Sequence, residues 1–538
     1  MESRALYTFD TRMVRKYFAE KGLGGGVAGG DRICGVVAAG TAVEMVRLLR
    51  RTLRRTRTAE LRLDYLRSAK ERAAFLAKLA EMRAGGGARG ATLIATCRSR
   101  RGGGQFRGSA AEQQEVLAAA ARAGCQWCDL EIEAARDWPA AQRRRELRPA
   151  RVMISFHDFR RTPRDLGAVV RRLERAGGDA IKIATECRSI QDAVRLLRLA
   201  RGRRDRVIVP MGELGEAARV LALREGSALA YAAAETATAP GQTSLAEFAR
   251  LGGPGRASGV RWLTRKTRVY AVIGDPIEHS LSPLMQNTAF ALRRQNAIYL
   301  AFRVRKLRDF LDSVAALGIS GFSVTLPHKE EMLRHLDDCD PLAREIGAVN
   351  TVVVRSGGRM YGYNTDYVGV LRALERRVHL VSSRVLLLGA GGAARAAAFA
   401  LTRGGAEVLI WARRPERARS LARAAGAEAI ARGAIAREHF DAIVNCTPVG
   451  LYPRGGSPLR PAELNCRIVM DMVYRPRETE LLRAARRRGI ETISGVDMFV
   501  AQGVAQWEIW TGLGAPEAEM RRAVNEALGK EEGERARR

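Results

Sequence analysis

Apolar residues in the first half of the chain come in short runs, each followed by a longer Ala/Leu/Arg-rich segment whose apolar positions return at helical spacing. From Ile33 to about Leu251 the runs are ICGVVAAG, AELRLDY, ATLIATCR, CDLEIE, RVMISFHD, DAIKIAT, RVIVPMG and SALAYAAA, a pattern that predicts eight β/α alternations. Eight such units in roughly 220 residues fit a (β/α)8 TIM barrel better than an open sheet, and in that fold functional groups sit where strands end and loops begin. The barrel is assigned to residues 31–251. A Gly/Pro-containing segment within 252–266, LGGPGRASGVR with its flanks, reads as a linker before the pattern restarts at RVYAVIGDP. Residues 267–370 then read as a mixed α/β lobe, 371–495 as a Rossmann lobe opened by SRVLLLGAGGAARAAAFAL, and 496–538 as helices returning to the earlier lobe plus a charged tail. Residues 1–30 carry no apolar period and end in GLGGGVAGG, which reads as a flexible extension.

Length agrees with this division, since 538 residues suggest roughly two to four domains. No apolar run reaches the about 18 residues of a membrane span, and the N-terminal residues lack the compact apolar segment of a secretory signal, so a cytoplasmic location is expected. Eight cysteines in so long a chain do not form a disulfide scaffold. Cys125 and Cys128 make a C-x-x-C with no second pair or nearby histidine, so no metal is implied. The formal charge of +33 raises nucleic acid as a partner. The arginines, however, are dispersed over helical faces without interleaved aromatics, and they read as solvated faces that attract anionic small molecules.

Lysine is a rare choice where arginine supplies nearly all the positive charge, yet Lys182 stands between Ile181 and Ile183 in an otherwise apolar strand. Burying an ammonium costs several kcal/mol unless it is paired or neutralised, and burial moves a lysine towards the neutral amine. Such an amine forms a Schiff base with a carbonyl, which acts as an electron sink for removing an adjacent proton. His157, at the end of the preceding strand, is the natural proton carrier, and Arg62, Arg98 and Arg219 are available for an anionic substrate. The competing reading is a lysine snorkelling to a surface carboxylate beside a structural histidine.

Taken with ELRLDYL, CRS, ISFHDF, IKIA, MGELGEAARV and TAPGQTS, in that order, these residues resemble the type I 3-dehydroquinate dehydratases. The resemblance implies an imine between Lys182 and the ketone of 3-dehydroquinate. It implies that His157 removes the α proton and helps water leave, and that Glu60, Arg62, Arg98, Arg219, Thr238 and Gln242 line the substrate. One departure stands out: Gly102, in RSRRGGGQ, occupies a position where the family carries a glutamate that helps orient the histidine. An alternative therefore stays open, in which the barrel is impaired and only the second half turns over.

In that second half, Gly389, Gly391 and Ala394 form a G-x-G-x-x-A turn between an apolar run and a helical segment, suited to bringing a pyrophosphate onto a helix N-terminus. About twenty residues on, where an acidic side chain would take the ribose hydroxyl of NAD, Arg413 and Arg414 stand instead, which favours NADP. Lys329 and Asp366 offer an acid/base pair for reducing a ketone, and Ser280, Ser282, Asn350 and Gln502 offer contacts for a polyol. The blocks HSLSP, SVTLPHK, AVNT, NTD, NCTPVG and GVDMFVAQ resemble shikimate dehydrogenase over about residues 267–527. That resemblance implies Lys329 and Asp366 as catalytic residues and Ser280, Ser282, Thr325, Asn350 and Gln502 as substrate contacts. It implies NADP bound at Gly389, Ala390, Gly391, Gly392, Ala393, Arg413, Arg414 and Thr447. The product of the first reaction is the substrate of the second, so the two resemblances together imply a bifunctional enzyme of the shikimate pathway, with action on quinate or use of NAD as variants of the second activity.

Overall fold

A computed structural model describes residues 32–235, 242–252, 263–375 and 377–535, which form two compact units that change over in sequence between Ala249 and Thr267. Residues 1–31, 236–241 and 253–262 lie outside this description, and with them the extension, Thr238 and most of the linker.

In the first unit all eight runs become strands: β1 (Ile33–Val37), β2 (Thr58–Arg62), β3 (Thr92–Thr96), β4 (Trp127–Glu131), β5 (Arg151–Asp158), β6 (Ala180–Glu186), β7 (Arg206–Met211) and β8 (Ala230–Ala233). They pair in parallel in the order β7-β6-β5-β4-β3-β2-β1-β8. Strands covered on both faces need apolar residues at nearly every position, which is why they read as continuous runs rather than alternations. The β7/β8 seam is closed without a ladder: Ala228 N donates to Arg206 O at 2.8 Å and Ile208 N to Ser227 Oγ at 3.0 Å. Cys34, Ile94, Trp127, Met153, Val207 and Tyr231 fill part of the interior. Serines cap several of the intervening helices, with reciprocal capping boxes at Ser109/Glu112 and Ser189/Asp192 that satisfy first-turn amides. Register puts Ser155 of β5 beside both Lys182 of β6 and Glu131 of β4, so three polar exceptions of adjacent strands stand in line. Lys182 is the third of seven residues in β6, deeper than the strand-end position its sequence suggested.

The second unit holds two six-stranded sheets. In the first, β9 (Arg268–Gly274), β10 (Ala297–Arg303), β11 (Ile319–Val324), β12 (Asp338–Cys339), β13 (Thr351–Val354) and β14 (Met360–Tyr363) order as β10-β9-β11-β13-β14-β12, with β13 antiparallel to both neighbours. In the second, β15 (Arg384–Leu388), β16 (Glu407–Trp411), β17 (Glu428–Ala429), β18 (Phe440–Asn445), β19 (Cys466–Asp471) and β20 (Glu491–Ile493) run parallel as β17-β16-β15-β18-β19-β20. That order reverses direction at β15, the place where open α/β sheets bind nucleotides. The last helices, Gly495–Thr511 and Glu517–Arg535, pack Val500, Trp507, Trp510 and Val524 against Tyr270, Met285 and Phe290 of the first sheet's lobe. Trp510 Nε1 donates to Val352 O at 3.0 Å, which satisfies that indole's buried donor. No helix among the described residues is long and apolar enough to cross a membrane.

Candidate functional site

Lys182 is 4% exposed, and its Nζ donates to Asp129 Oδ2 at 2.9 Å and Glu60 Oε1 at 3.1 Å while lying 3.9 Å from the centre of the Tyr231 ring. The buried ammonium is therefore paired, and the apolar surroundings expected from Ile181 and Ile183 are not what surrounds it. The flanking isoleucines belong to the strand, whereas the group at the end of the lysine side chain meets residues of β2 and β4. Asp129 also accepts from Ser155 Oγ at 2.5 Å and from Arg98 Nη2 at 3.4 Å, and Glu60 accepts from Thr96 Oγ1 at 2.9 Å. Burial opposes ionisation of Glu60 and Asp129, but Lys182 and Arg98 outweigh it, aided by Arg62 at Glu60, and both carboxyls lie below their ordinary range. His157 goes the other way. Burial, then the charges of Arg98 and Lys182, push its imidazole well below the usual range, leaving a neutral ring at neutral pH within the electrostatic reach of the lysine. Its ring stacks on Phe159 with centroids 5.9 Å apart.

The other barrel candidates are placed unequally. Arg62 is held by Asp64 through two bonds of 2.9 and 2.8 Å, and Asp64 also takes the Gln105 amide at 3.0 Å. Arg98 keeps a buried Nε with no partner among the described residues, a donor open to a ligand. Arg219 lies on the helix Glu216–Glu225 after β7, where its Nε donates to Pro210 O at 2.6 Å and burial pulls the guanidinium down to about 10. Gln242 stands just ahead of the Ala233/Ser244 bridge, and Thr238 is outside the described residues. Asp129, which sequence reasoning missed, is the acidic residue closest to the lysine's charge.

In the second unit Lys329 Nζ is hydrogen-bonded to Asp366 Oδ2, and Asp366 Oδ1 accepts from Asn350 Nδ2 at 2.9 Å. Asn350 also receives the Thr365 amide at 2.8 Å, so the AVNT and NTD blocks interlock around the carboxylate. Asp366 opens the helix Asp366–Leu374, a position that favours negative charge. Gln502 is buried on the helix Gly495–Thr511, its Cβ beside Gly369 of that same helix Asp366–Leu374. Ser280 Oγ accepts from Ser282 N at 3.3 Å, and Thr325 N donates to Ile273 O at 2.9 Å, which places all three at the ends of their elements in the same lobe.

The dinucleotide turn follows β15. Gly389 has φ +117°, a conformation that strains any other residue, and a Cβ there would come 3.2 Å from Thr447 Cγ2. The helix Gly392–Arg403 starts at Gly391 without a side-chain cap, leaving first-turn amides for an anion. Ala390 and Ala393 flank that start, and a Cβ on Gly392 would lie 3.0 Å from Lys329 Cβ, so the turn and the catalytic-type lysine are packed together. Arg413 and Arg414 are exposed after β16. Open amides, two guanidinium groups and no carboxylate at the strand end fit a dinucleotide bearing an extra phosphate. Thr447 donates to Asn445 Oδ1 from its amide (3.0 Å) and hydroxyl (2.7 Å); Asn445 Nδ2 donates to Asp471 Oδ1 at 2.9 Å, and Thr479 Oγ1 to Asp471 Oδ2 at 2.6 Å. Burial pushes the Asp471 carboxyl up to about 6.

Fold and sites together define a two-unit α/β enzyme, a (β/α)8 barrel with an inward paired lysine joined to a dinucleotide-binding unit with a Lys/Asp pair at its turn. Residues 33–251 match the type I 3-dehydroquinase family, residues 272–352 the shikimate dehydrogenase substrate binding domain, and residues 495–524 the shikimate 5'-dehydrogenase C-terminal domain. A bifunctional 3-dehydroquinate dehydratase/shikimate dehydrogenase of Arabidopsis thaliana, named as chloroplastic, is 34% identical over 77% of this chain and 72% of its own. The shikimate dehydrogenase (NADP(+)) of Moorella thermoacetica is 44% identical over 50% of this chain and 96% of its own. A crystal structure of shikimate 5-dehydrogenase from Thermus thermophilus in complex with NADP(H) and shikimate is 38% identical, covering 49% of this chain and 100% of that one with a TM-score of 0.46. The chain belongs to the family of bifunctional 3-dehydroquinate dehydratase/shikimate dehydrogenases.

Proposed function

We propose that the chain catalyses two consecutive steps, dehydration of 3-dehydroquinate to 3-dehydroshikimate in the barrel and NADPH-dependent reduction to shikimate in the second unit. The observation that carries the first step is the buried Lys182 ammonium held between Asp129 and Glu60, with a neutral His157 within its electrostatic reach. Lys182 gives up a proton and attacks the ketone carbon; loss of the carbonyl oxygen as water leaves an iminium whose positive nitrogen draws electrons from the adjacent C–H bond. His157 takes that proton, and the same imidazole, now charged, returns it to the departing hydroxyl; water then adds to the iminium carbon, and breaking of the C–N bond releases the product ketone and restores Lys182. Asp129 and Glu60 steady the positive nitrogen throughout, and the open Arg98 Nε and Arg219 suit the substrate carboxylate. An idle barrel is the weaker reading, because Lys182, His157, Glu60 and Asp129 stand together despite Gly102.

In the second unit NADPH, when bound at the Gly389 turn, supplies hydride to the carbonyl carbon. Lys329 delivers the proton to the carbonyl oxygen, and Asp366, fixed by Asn350, holds its ammonium in line. Adding 3-dehydroquinate and NADPH to the purified chain tests both steps, with NADPH loss as the readout. Loss with 3-dehydroshikimate but none with 3-dehydroquinate would refute the first activity and keep the second. Borohydride with 3-dehydroquinate should add mass to the Lys182 peptide, and labelling elsewhere would reject that lysine's role.

A further inference from the structure

The carboxylate absent at position 102 has a counterpart on another strand. A Cβ on Gly102 would fall 1.5 Å from Glu131 Oε1 and 2.7 Å from its Cδ, so the Glu131 carboxylate already fills the space a side chain there needs. Glu131 ends β4, is 4% exposed, and accepts from Ser99 N at 3.0 Å, Ser99 Oγ at 3.2 Å and Gln113 Nε2 at 3.1 Å. Gly102 N donates to the same Ser99 Oγ at 3.2 Å, and Gln113 Nε2 donates also to Cys97 O at 2.6 Å. One carboxylate thus holds Ser99 directly and, through Gln113 and the Ser99 hydroxyl, reaches both ends of the Cys97–Gly102 turn.

Two parts of the barrel site ride on this turn. Arg98, within it, reaches Asp129. Gly103, at φ +80°, lies under Phe159, whose ring would come 2.4 Å from a Cβ there, and Phe159 stacks on His157. We propose that Glu131 is a positioning residue of the dehydratase, holding the 97–104 turn and through it Arg98 and the Phe159–His157 stack, and that Gly102 is what leaves room for it. This rests on the dehydratase reading above. A glutamine of the same shape can keep these bonds, its oxygen accepting from Ser99 N and Gln113 Nε2 and its amide facing the Ser99 hydroxyl.

The test uses the full chain, with reduction of 3-dehydroshikimate as the control for an intact protein. Glu131→Ala is expected to lower dehydratase kcat by on the order of ten- to a hundredfold, more than it raises KM, whereas Glu131→Gln keeps kcat within about threefold. Gly102→Ala drives a methyl into the carboxylate and is expected to lower kcat as Glu131→Ala does. The double variant should cost no more than either single one, because both release the same turn. A Glu131→Ala kcat within about twofold of wild type, losses that multiply in the double variant, or a Glu131→Gln enzyme as slow as Glu131→Ala overturns the proposal. Should Glu131→Ala not fold, Gly102→Ala decides, since it removes no bonding group. Absence of dehydratase turnover in the wild type defeats the underlying reading instead.

Discussion

Lys182 Nζ lies 2.9 Å from Asp129 Oδ2, two strands away across the barrel, and both groups are buried. Taking one partner from a buried pair leaves an uncompensated charge, at about 3–5 kcal/mol when nothing replaces it. Here Glu60 remains 3.1 Å from the ammonium, so Asp129→Asn is expected to destabilise the barrel by about 3 kcal/mol or somewhat less. The same change should cut borohydride-trapped imine and slow dehydration by on the order of a hundredfold, because the nitrogen that turns positive has lost its nearer carboxylate. Denaturant unfolding and mass spectrometry of the Lys182 peptide check the two outcomes.

His157 sets the pH dependence of dehydration. Burial and the charges of Arg98 and Lys182 lower its pKa, so the neutral base persists to lower pH than for an ordinary histidine near 6.5. The acid limb of dehydratase kcat/KM is expected to lie at lower pH than an ordinary histidine would place it. An acid limb centred near or above about 6.5 would show that the imidazole is not held neutral by its surroundings.

Much of this architecture is visible in the sequence because buried parallel strands admit few polar residues, so Lys182 stands out as an exception. Asp129 does not stand out, since CDLEIE alternates acidic and apolar residues as a half-exposed strand would, and only the pairing of β4 with its neighbours shows that Asp129 and Glu131 are buried. Asp471, a lone acid at the end of an apolar run, reads equally well as a turn residue. Gly102 shows a missing side chain, whereas its replacement by Glu131 depends on a contact between residues 29 positions apart. The fit of Gly392 against Lys329 is hidden for the same reason, as it joins two lobes distant in sequence.

That fit gives a selective variant of the reductase. A Cβ at Gly392 would meet Lys329 at 3.0 Å (Cβ) and 3.2 Å (Cδ), so Gly392→Val is expected to push the lysine off its line and lower reductase kcat by on the order of tenfold or more. Dehydratase kcat, measured on the same preparation, should be unchanged. Equal losses in both activities would point to general misfolding rather than displacement of Lys329.

Arg413 and Arg414 follow β16 where a ribose phosphate would lie, and both are exposed. Changing both to alanine removes charge-assisted bonds worth about 1.5–3 kcal/mol each when formed, so KM for NADPH should rise by roughly tenfold or more while KM for NADH changes little. The NADPH/NADH ratio of kcat/KM is the decisive number, and a ratio left intact would separate these arginines from cofactor choice.

Asp471 makes the second unit's stability depend on pH in the direction opposite to a salt-bridged carboxylate. Its folded-state carboxyl is raised to about 6, against about 3.9 in an unfolded chain. Between those values the folded state keeps a proton that the unfolded state has released, so stability falls as pH rises from about 4 to about 6 and that contribution is gone above it. The difference corresponds to about 3 kcal/mol. Asp471→Asn removes the titration and can still accept from Asn445 and Val473 through its carbonyl oxygen, with its amide facing Thr479 Oγ1. The variant's unfolding curves for this unit should therefore lose the decline that wild type shows over that range. Parallel pH dependences in the two proteins would mean that the Asn445–Asp471–Thr479 network carries a charge the fold tolerates without cost.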